Sequence, residues 1–475
     1  MTRLLSCVLL VGCLAGGRTA SASDWVRFRG PNGTGVSADH GLPTEIDRHK
    51  GVVWSTKLPK GHSSPVVARG RVYLTGHDGD QRLVLCFDAV TGQERWRRSV
   101  TRAREDRFHS MNGPTTPTPA TDGERVFAYL PEVGLLAFDR DGRELWRVPL
   151  GPFASTHGMA SSPIYVGHRV VLLVDTPVEA FLVAYDARSG RQLWKTERTP
   201  GAIGSFATPT LYGPDSDRAQ VVVAGAEELT GYLAATGERV WWARGVSMTP
   251  YAPPFVAGDS VYSIEPPDSN WPTFAEMRKR FDTNQDGRVT QAEVAGDLFW
   301  SGTFKGLDLH RGNADGAVTE DEWSKAVFGG DQFGGLVRTR LGGTGDVTGT
   351  HVVWRYDKGL PFLTAPLLYE GVLYTIRNGT LTTFSPETGA LLTQRRVMNA
   401  LGEYYASPIA GDGKIYLVSL EGQVTVLKAG ADWEVLSTGD LQEQVVATPA
   451  IGDGRIYIRT DQMLYCFGQT TRARN

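Results

Sequence analysis

A short apolar pattern recurs along this chain and constrains its fold more than any other feature. Its first copy reads Ser63-Ser64-Pro65-Val66-Val67, then Arg71-Val72-Tyr73-Leu74, then Leu83-Val84-Leu85-Cys86-Phe87-Asp88, and ends at Thr91-Gly92 and Trp96. Each apolar run has the length of one strand, and Gly or Asp occupies the joins, so the unit predicts a four-stranded antiparallel meander. One such sheet cannot bury both of its faces alone, and the copies must therefore stack against one another.

Two recurring positions give the number of copies. A Ser, Thr or Ala followed by Pro opens the innermost strand of each copy, at Pro65, Pro119, Pro163, Pro209, Pro253, Pro366, Pro408 and Pro449. The closing position is occupied by Trp96, Trp146, Trp194, Trp241, Trp354, Leu392 and Trp433. The eighth copy has no closing strand after it, whereas Val52-Val53-Trp54 is an outer strand with no copy before it. The sequence predicts an all-β fold, an eight-bladed propeller of four-stranded antiparallel blades, closed by an N-terminal strand in the last blade.

The turn that precedes each closing position carries a family resemblance. Asp88 to Trp96 reads Asp-Ala-x-Thr-Gly-x-x-x-Trp, and Asp186 to Trp194 repeats it with Ser for Thr. This repeat resembles that of the quinoprotein-like propellers, over residues 50 to 467 apart from one insertion. The family holds pyrroloquinoline-quinone dehydrogenases and also non-catalytic scaffolds, such as the lipoprotein of the outer-membrane barrel-assembly machinery. The resemblance implies the fold and little about function, because the Trp and the Thr-Gly turn serve to dock neighbouring blades.

The first residues predict export. Residues 1–22 have a basic start at Arg3, an apolar run from Leu4, and Ala20-Ser21-Ala22 as a cleavage signal, which together form a signal peptide. The competing interpretation is lipidation at Cys13, because Leu10-Val11-Gly12-Cys13 fits the box that tethers a protein to a membrane. Residues 23–50 follow as an N-terminal extension, and 469–475 form a tail. We expect a periplasmic or secreted protein with no transmembrane helix, since no later apolar stretch is long enough to span a bilayer.

Charge and cysteine usage restrict the partners. The formal net charge is −3 and no basic stripe is present, so nucleic acid is not expected as a partner. Cys86 and Cys466 occupy the same third-strand position in neighbouring blades, where a disulfide does not fit, and we expect buried free thiols. The chain has no vicinal Cys-Cys pair. The quinone-binding members of the family commonly stack their cofactor against such a pair, so this departure counts against pyrroloquinoline quinone.

The connections between strands are expected to build a mouth at one end of the central channel. With four strands per blade, the fourth-to-first and second-to-third connections emerge on one face, and the tighter turns emerge on the other. The fourth-to-first connections supply His62, His109, Asn112, His157, Phe206, Tyr251, Phe362, Tyr404 and Tyr405. The second-to-third connections supply His77, Asp78, Asp175, Glu227 and Glu265. Such loops bind ligands, so these residues are candidates for binding a protein or a small molecule, with hydrogen bonding between loops as the alternative for each.

Blade five departs from the repeat. Its first two strands lie within residues 51–265, an insertion occupies 266–334, and the propeller resumes over 335–468. Because the insertion replaces a second-to-third connection, we expect it on the same face as the mouth, as a small α-helical pair of EF-hands. Phe274, Met277 and Phe281 fall on one helical face before its first loop.

The first loop of the insertion matches the EF-hand pattern D-x-[DN]-x-[DN]-G-x5-E at every position. Hard oxygen ligands for Ca²⁺ are expected from Asp282, Asn284, Asp286, the Arg288 carbonyl, Thr290 through water, and bidentate Glu293. The second loop supplies Asn313, Asp315, the Ala317 carbonyl and Glu322, with Val318 opposite Val289. Its first ligand position is irregular. Counting back from Gly316 gives Arg311, and the alternative, Asp308, needs a loop three residues longer.

Three functions remain open from the residues alone. The first is a non-catalytic exported binding or scaffold protein whose Ca²⁺-loaded cap shapes the mouth. The second is a pyrroloquinoline-quinone-dependent oxidoreductase, and the third is a hydrolase or lyase that uses the imidazoles of the mouth. Sequence signatures of zinc peptidases, serine hydrolases and phosphate-binding loops are absent.

Overall fold

The computed structural model describes residues 24–155, 157–198, 204–216, 218–225, 228–245, 249–265, 272–324, 334–397 and 402–469. The predicted signal peptide and the alternative lipidation site at Cys13 lie outside these residues, as does Glu227. None of the described helices is long and apolar enough to cross a membrane.

Eight antiparallel sheets of four strands each form the blades of a propeller, as the repeat predicted. The strands of blades 1 and 2 are Val66–Ala68, Arg71–Asp78, Gln81–Asp88 and Glu94–Thr101, then Ala120–Thr121, Arg125–Leu130, Gly134–Asp139 and Glu144–Pro149. Those of blades 3 and 4 are Ile164–Val166, Arg169–Asp175, Ala180–Asp186 and Gln192–Glu197, then Thr210–Tyr212, Gln220–Ala224, Glu228–Leu233 and Arg239–Arg244. Those of blades 5 and 6 are Phe255–Ala257, Ser260–Glu265, Gly335–Arg340 and Val352–Tyr356, then Leu367–Tyr369, Val372–Arg377, Thr380–Phe384 and Leu391–Arg396. Those of blades 7 and 8 are Ile409–Gly411, Lys414–Val418, Gln423–Lys428 and Glu434–Asp440, then Ala450–Gly452, Arg455–Arg459 and Met463–Phe467, completed by Val52–Lys57.

The ring closes as the unmatched strands predicted. Val52–Lys57 pairs antiparallel with Met463–Phe467, with Ser55 opposite Tyr465. The middle strands of each blade are buried at consecutive positions because neighbouring blades cover both faces, which is why they read as unbroken apolar runs. Cys86 and Cys466 are buried free thiols in these strands, as expected.

The recurring spacing between the Asp-containing turn and the Trp has a direct physical cause. The indole Nε1 of Trp96 donates to the carbonyl oxygen of Arg140 in the next blade at 2.7 Å, and Trp146 donates to Ala187 at 3.1 Å. A Cβ on Gly142, in the turn of blade 2, would lie 2.6 Å from the Trp96 ring. The turn therefore needs glycine both for its positive φ and for the close approach of the indole.

The junction between blades 4 and 5 departs from this docking. Trp241 donates instead to the Gln220 side chain of its own blade at 2.7 Å. The third-to-fourth connection of blade 5 crosses to blade 4, where Gly345–Asp346 adds a fifth, parallel strand and is followed by the helix Thr348–His351. The Gly-rich run at 343–349 therefore belongs to the connection between the third and fourth strands of blade 5.

Residues 24–37 of the predicted N-terminal extension form a plug that lies against the innermost strands. Residues 43–48 lie instead on the strands Lys414–Val418 and Glu434–Asp440 of blade 7. Trp25 forms two backbone hydrogen bonds with Val67 of blade 1, and Ser37 donates to Ala410 of blade 7. Side chains extend the contacts: Arg27 donates to the Pro209 carbonyl of blade 4, Arg29 to the Pro366 carbonyl of blade 6 at 3.0 Å, and Asn32 to the Leu211 carbonyl at 2.7 Å. A short 3-10 helix, Pro31–Gly33, turns the segment back. The innermost strands surround the channel of a propeller, so the plug occupies that channel, which the sequence did not predict.

The insertion in blade 5 forms its own small helical unit. Its helices are Phe274–Phe281, Gln291–Val294, Leu298–Arg311 and Glu320–Trp323, and its two short strands are Val289–Thr290 and Ala317–Val318. The predicted pairing of Val289 with Val318 is present. Phe274, Met277 and Phe281 are buried against Trp323 and other apolar residues of the unit. The strand ends that carry the insertion, Glu265 and Gly335, are paired with one another.

Candidate functional site

A cavity of about 190 Å³ opens at one end of the channel. This cavity, called the mouth below, has the following lining residues: Phe28, His62, Ser64, His109, Met111, Asn112, Thr116, Thr118, His157, Ala160, Ser162, Phe206, Thr208, Tyr251, Leu363, Tyr405, Val446, Ala447 and Thr448. The fourth-to-first connections supply most of them, as the topology predicted. None comes from residues 272–324.

Four rings form one wall of the mouth. The ring centroids of His109 and His157 lie 5.2 Å apart in an edge-on arrangement, and His157 meets Phe206 at 5.3 Å and Tyr251 at 6.1 Å. Phe206 and Tyr251 are stacked at 5.1 Å with 10° between their planes. Backbone hydrogen bonding between the two loops, from His109 N to His157 O at 3.1 Å, sets the first contact. Burial lowers the pKa of His157, with the neighbouring His109 adding to the effect.

His62 lies on another wall, next to the seam where the ring closes. Its Nδ1 is buried and has no hydrogen-bond partner among the described residues. Burial, assisted by the nearby Arg459 guanidinium, lowers the pKa of His62 to about 4. The imidazole is therefore neutral at physiological pH, and its ring lines the mouth.

Two side chains bridge the rim of the mouth. The Tyr405 hydroxyl, from the connection between blades 6 and 7, donates its one proton to Glu403 at 3.0 Å and lies 2.7 Å from Met111 Sδ. Asn112 donates to the His157 carbonyl at 2.8 Å and thereby fixes the loop that carries Met111. The rim thus connects blades that are distant in the sequence.

Hydroxyl groups just before the strand-opening prolines join neighbouring blades below the mouth. Ser64 N donates to Thr118 Oγ1 at 2.9 Å, and Thr118 N donates to Ser162 Oγ at 2.9 Å. The same link runs from Ser162 N to Thr208 Oγ1 at 3.0 Å, from Ala365 N to Ser407 Oγ at 3.0 Å, and from Ser407 N to Thr448 Oγ1 at 3.0 Å. In each of these links the Ser or Thr before the proline therefore accepts a backbone hydrogen bond from the neighbouring blade. Two blades open with Ala252 and Ala365 and have no hydroxyl at this position.

Some predicted residues of the mouth lie elsewhere. Tyr404 is buried in the core between blades 6 and 7, because neighbouring residues of an extended chain point to opposite sides. Phe362 is exposed and the next residue, Leu363, lines the mouth instead. Asp78 is an exposed strand end, and His77 bonds Thr115 Oγ1 at 3.1 Å.

Two carboxylates that were predicted at the mouth, Asp175 and Glu265, bond to other parts of the propeller instead. The buried Asp175 carboxylate forms an ion pair with Arg198 at 3.4 Å, and that arginine reaches Tyr232 of the next blade. Glu265 accepts a hydrogen bond of 2.6 Å from the backbone N of Thr249. Neither residue lines the mouth.

The first loop of the insertion folds around its own acidic side chains. Asp282 accepts hydrogen bonds from Asp286 N and Gly287 N, both at 3.1 Å. Glu293 accepts from Thr283 N through one oxygen and from Thr290 N through the other, both at 2.9 Å. The hydrogen bonds from Thr290 hold the pKa of Glu293 at about 2. All six predicted ligand positions, Asp282 to Glu293, lie on this one loop.

The second loop repeats this arrangement with a different first residue. Asp308, inside the helix Leu298–Arg311, accepts from Asp315 N at 3.1 Å and Gly316 N at 2.9 Å, as Asp282 does in the first loop. Glu322 accepts from Asn313 N at 3.2 Å and Thr319 N at 2.9 Å, as Glu293 does. The position of Asp282 therefore corresponds to Asp308 and not to Arg311. Within the described ranges no group of three or more His, Cys, Asp or Glu side chains is close enough to hold a metal ion.

A protein-family model described as outer membrane protein assembly factor BamB, of the PQQ-like repeat type, matches residues 39–196, 178–301 and 377–474. The chain belongs to this BamB family of PQQ-like repeat propellers. BamB of Burkholderia pseudomallei (strain K96243) is 26% identical over 210 residues, which are 42% of this chain and 49% of that relative. The chain thus spans about half the length of the curated relative that it matches.

Solved structures of the BamB type and of quinoprotein dehydrogenases share the fold. The crystal structure of BamB from Moraxella catarrhalis matches with a TM-score of 0.54 and 13% identity, over 89% of this chain and 99% of the other. Quinohemoprotein alcohol dehydrogenase from Comamonas testosteroni matches with a TM-score of 0.61 and 13% identity, over 94% of this chain and 80% of the other. At this identity the likeness shows the propeller fold alone.

The mouth of this BamB-family chain does not fit pyrroloquinoline quinone, a planar tricarboxylate. Among the lining residues that the structure describes, none is Lys or Arg, and Cys86 and Cys466 are buried within strands. The described lining residues include no Asp or Glu either, and the Glu403 carboxylate lies at the rim, where it accepts from the Tyr405 hydroxyl.

Proposed function

We propose that this BamB-family chain is an exported, non-catalytic propeller that binds a protein partner of outer-membrane assembly at its mouth. The observation that carries the proposal is the lining of the mouth, where the described residues include imidazole and aromatic rings and no charged side chain. Such a surface favours burial of a partner group and offers no acid–base pair for catalysis. The name of the Burkholderia relative, an assembly factor, supports a protein partner.

Export is the second part of this proposal. It is supported by the signal-peptide pattern of residues 1–22 and by the family. Expression of the full chain with a C-terminal tag, followed by fractionation, tests it: the tag is expected in the periplasm or in the envelope. Cys13→Ser separates the two routes, since it removes the protein from the membrane fraction only if Cys13 is lipidated.

Binding at the mouth is tested by replacing three imidazoles together. His62→Ala, His109→Ala and His157→Ala in one variant should abolish capture of the partner recovered by the wild-type chain from envelope extract, with little change in melting temperature. A matched variant carries Arg95→Ala, Arg143→Ala and Lys195→Ala, three exposed side chains of outer strands and turns. Equal capture by both variants, or unfolding of the first with capture retained, contradicts the proposal.

We further propose that residues 272–324 bind Ca²⁺ and act as a cap beside the mouth. Each carboxylate of the first loop has lone pairs beyond those used by the backbone donors, and Asn284, the Arg288 carbonyl and Thr290 add neutral oxygens. The equivalent hydrogen bonds of Asp308 and Glu322 extend the proposal to the second loop, whose other ligands are Asn313, Asp315 and the Ala317 carbonyl. The anchoring of the unit at the paired residues Glu265 and Gly335 supports the position of the cap.

Two glutamates in the same type of helix cap provide a matched test of Ca²⁺ binding. Glu293 and Glu276 each complete a capping box at the third position of a helix, but only Glu293 ends a loop of the EF-hand pattern. Calorimetry should show Ca²⁺ binding to wild type and Glu276→Gln, severe weakening in Glu293→Gln, and loss of any second site in Glu322→Gln. Absence of uptake at millimolar Ca²⁺, or equal binding by Glu293→Gln, contradicts the assignment.

A further inference from the structure

Rings, and not charges, dominate the mouth, and one of these rings belongs to the plug. We propose that the mouth binds an uncharged aromatic group and that Phe28 is the surface on which this group packs. The proposal rests on the proposed function, because it names the chemistry that the same mouth recognises. The aromatic group is either a small free molecule or the side chain of a protein partner.

One wall of the mouth already holds aromatic rings in contact with one another. Phe206 and Tyr251 are stacked, and His157 approaches both of them edge-on. Aromatic rings attract one another in stacked and edge-to-face geometries, with centroids 4.5–7 Å apart, and this attraction comes in addition to area burial. A planar ring that enters beside this cluster therefore extends an existing arrangement.

The polar groups of the mouth disfavour a charged ligand. The part of the lining that the structure describes contains no Lys, Arg, Asp or Glu, so an ion there would lose its hydration without gaining an opposite charge. The hydroxyls of Thr118, Ser162 and Thr208 already accept hydrogen bonds from the neighbouring blades. His62 adds a ring that is neutral at physiological pH to this lining.

The placement of Phe28 follows from a turn of the plug. Arg27 and Arg29 are buried, and their guanidinium groups are fixed by the carbonyls of Pro209 and Pro366. Residues 27–30 form a turn that is closed by a hydrogen bond of 2.9 Å from Gly30 N to Arg27 O, and Phe28, inside this turn, lines the mouth. Because the plug occupies the channel beneath the mouth, Phe28 forms its base. The mouth has a volume of about 190 Å³, against roughly 150 Å³ for an apolar cavity that binds benzene, so it has room for one ring system.

Phenol and cyclohexanol form the central pair of probes, since they share size and hydroxyl and differ in aromaticity. Affinities are measured by ligand-observed NMR titration on the wild-type chain, on Phe28→Leu, and on Phe362→Leu as a control at an exposed ring outside the mouth. We expect phenol to bind more tightly than cyclohexanol, and Phe28→Leu to weaken phenol roughly two- to tenfold with little effect on cyclohexanol. Phe362→Leu should match wild type. Leu preserves much of the volume, and Phe28→Tyr provides a second variant that retains the ring and should retain phenol binding.

Two peptides, Gly-Gly-Tyr-Gly-Gly and Gly-Gly-Leu-Gly-Gly, distinguish the sources of the ring. Tighter binding of the tyrosine peptide than of phenol assigns the ring to a protein partner, and the reverse assigns it to a small molecule. Equal affinity for phenol and cyclohexanol, or unchanged phenol affinity in folded Phe28→Leu, overturns the inference. The variant with His62, His109 and His157 replaced by Ala then decides the proposed function independently. Loss of the partner by this variant supports binding at the mouth even when the aromatic inference fails. Retention of the partner contradicts the proposed function itself.

Discussion

Arg459 of blade 8 donates a hydrogen bond of 3.1 Å to the carbonyl oxygen of Pro59, which lies in the connection from the closing strand to blade 1. The same guanidinium donates to Ser63 Oγ at 2.9 Å and to the Thr75 carbonyl at 2.7 Å. Arg459 therefore joins the two ends of the ring next to His62. Burial lowers the pKa of this guanidinium, and its partners here are neutral oxygen atoms.

Loss of Arg459 is expected to weaken ring closure. Arg459→Met leaves the buried oxygens of Pro59, Ser63 and Thr75 without their donor, which should lower the free energy of unfolding by about 2 kcal/mol, the scale of hydrogen bonds to a charged group. Arg143→Met, at an exposed outer turn, is the control and should leave unfolding close to wild type. Urea denaturation measures both. If Arg459→Met unfolds at the same urea concentration as the wild type, the guanidinium does not contribute to ring closure.

Alanine substitutions at two glycines of blade 1 distinguish the cost of backbone strain from the cost of disturbed packing between blades. Gly92 and Gly70 both have φ of 72°, so substitution by Ala strains the backbone equally. A Cβ at Gly92 would overlap the Trp54 ring of blade 8, whereas one at Gly70 would meet no atom within 4 Å. Gly92→Ala should therefore lose about 1–3 kcal/mol more than Gly70→Ala in thermal or urea unfolding. Equal losses would mean that the indole does not pack tightly on this turn.

The hydroxyl links between blades should contribute to stability one by one. Thr118→Val keeps the shape of the side chain and leaves the buried backbone N of Ser64 without its acceptor, at an expected cost of about 1–3 kcal/mol. Thr101→Val, at an exposed strand end, is the matched control. Hydrogen exchange gives a second measure, because the Ser64 amide should lose protection in the first variant only. Retained protection would contradict the assignment of this link.

Acidification should destabilise the wild-type chain partly through His62. Its pKa is about 4 in the folded state against 6.5 for the free side chain, so the unfolded state binds more protons between these values. Stability therefore falls as the pH is lowered from about 6.5 towards 4, and His62→Gln should reduce this fall. The expected difference between the two proteins, from pH 7 to pH 5, is about 1 kcal/mol after allowance for partial solvent access. Parallel curves of urea midpoint against pH would contradict it.

The blades were predictable because each is built from local hairpins, whose strand lengths and turn residues repeat in the sequence. Counting unmatched strands was enough to predict closure by Val52–Lys57. The plug was not predictable in the same way, since its contacts join residues far apart in sequence and it buries Arg27 and Arg29, which read as surface residues.

The mouth was predictable at the level of loops and less so at the level of single side chains. His62, His109, His157, Tyr251 and Tyr405 line it because topology places their connections there. Tyr404 and Tyr405 are neighbours, and the sequence holds no information on which of the two points inward. Asp175 was expected at the mouth, but its partner Arg198 lies across a blade connection that the repeat does not specify.

Photo-crosslinking from the rim tests most directly whether a protein partner binds at the mouth. A photoreactive amino acid is placed at Met111, which is exposed and bridged to Tyr405 across the mouth, or at Val90, which is exposed in a third-to-fourth turn on the opposite face. Irradiation of cells that express the exported chain should yield a discrete crosslinked protein from position 111 and not from position 90, and the imidazole variant should abolish it. A crosslink from position 90 alone, or one from position 111 that persists without His62, His109 and His157, would contradict a partner bound at the mouth.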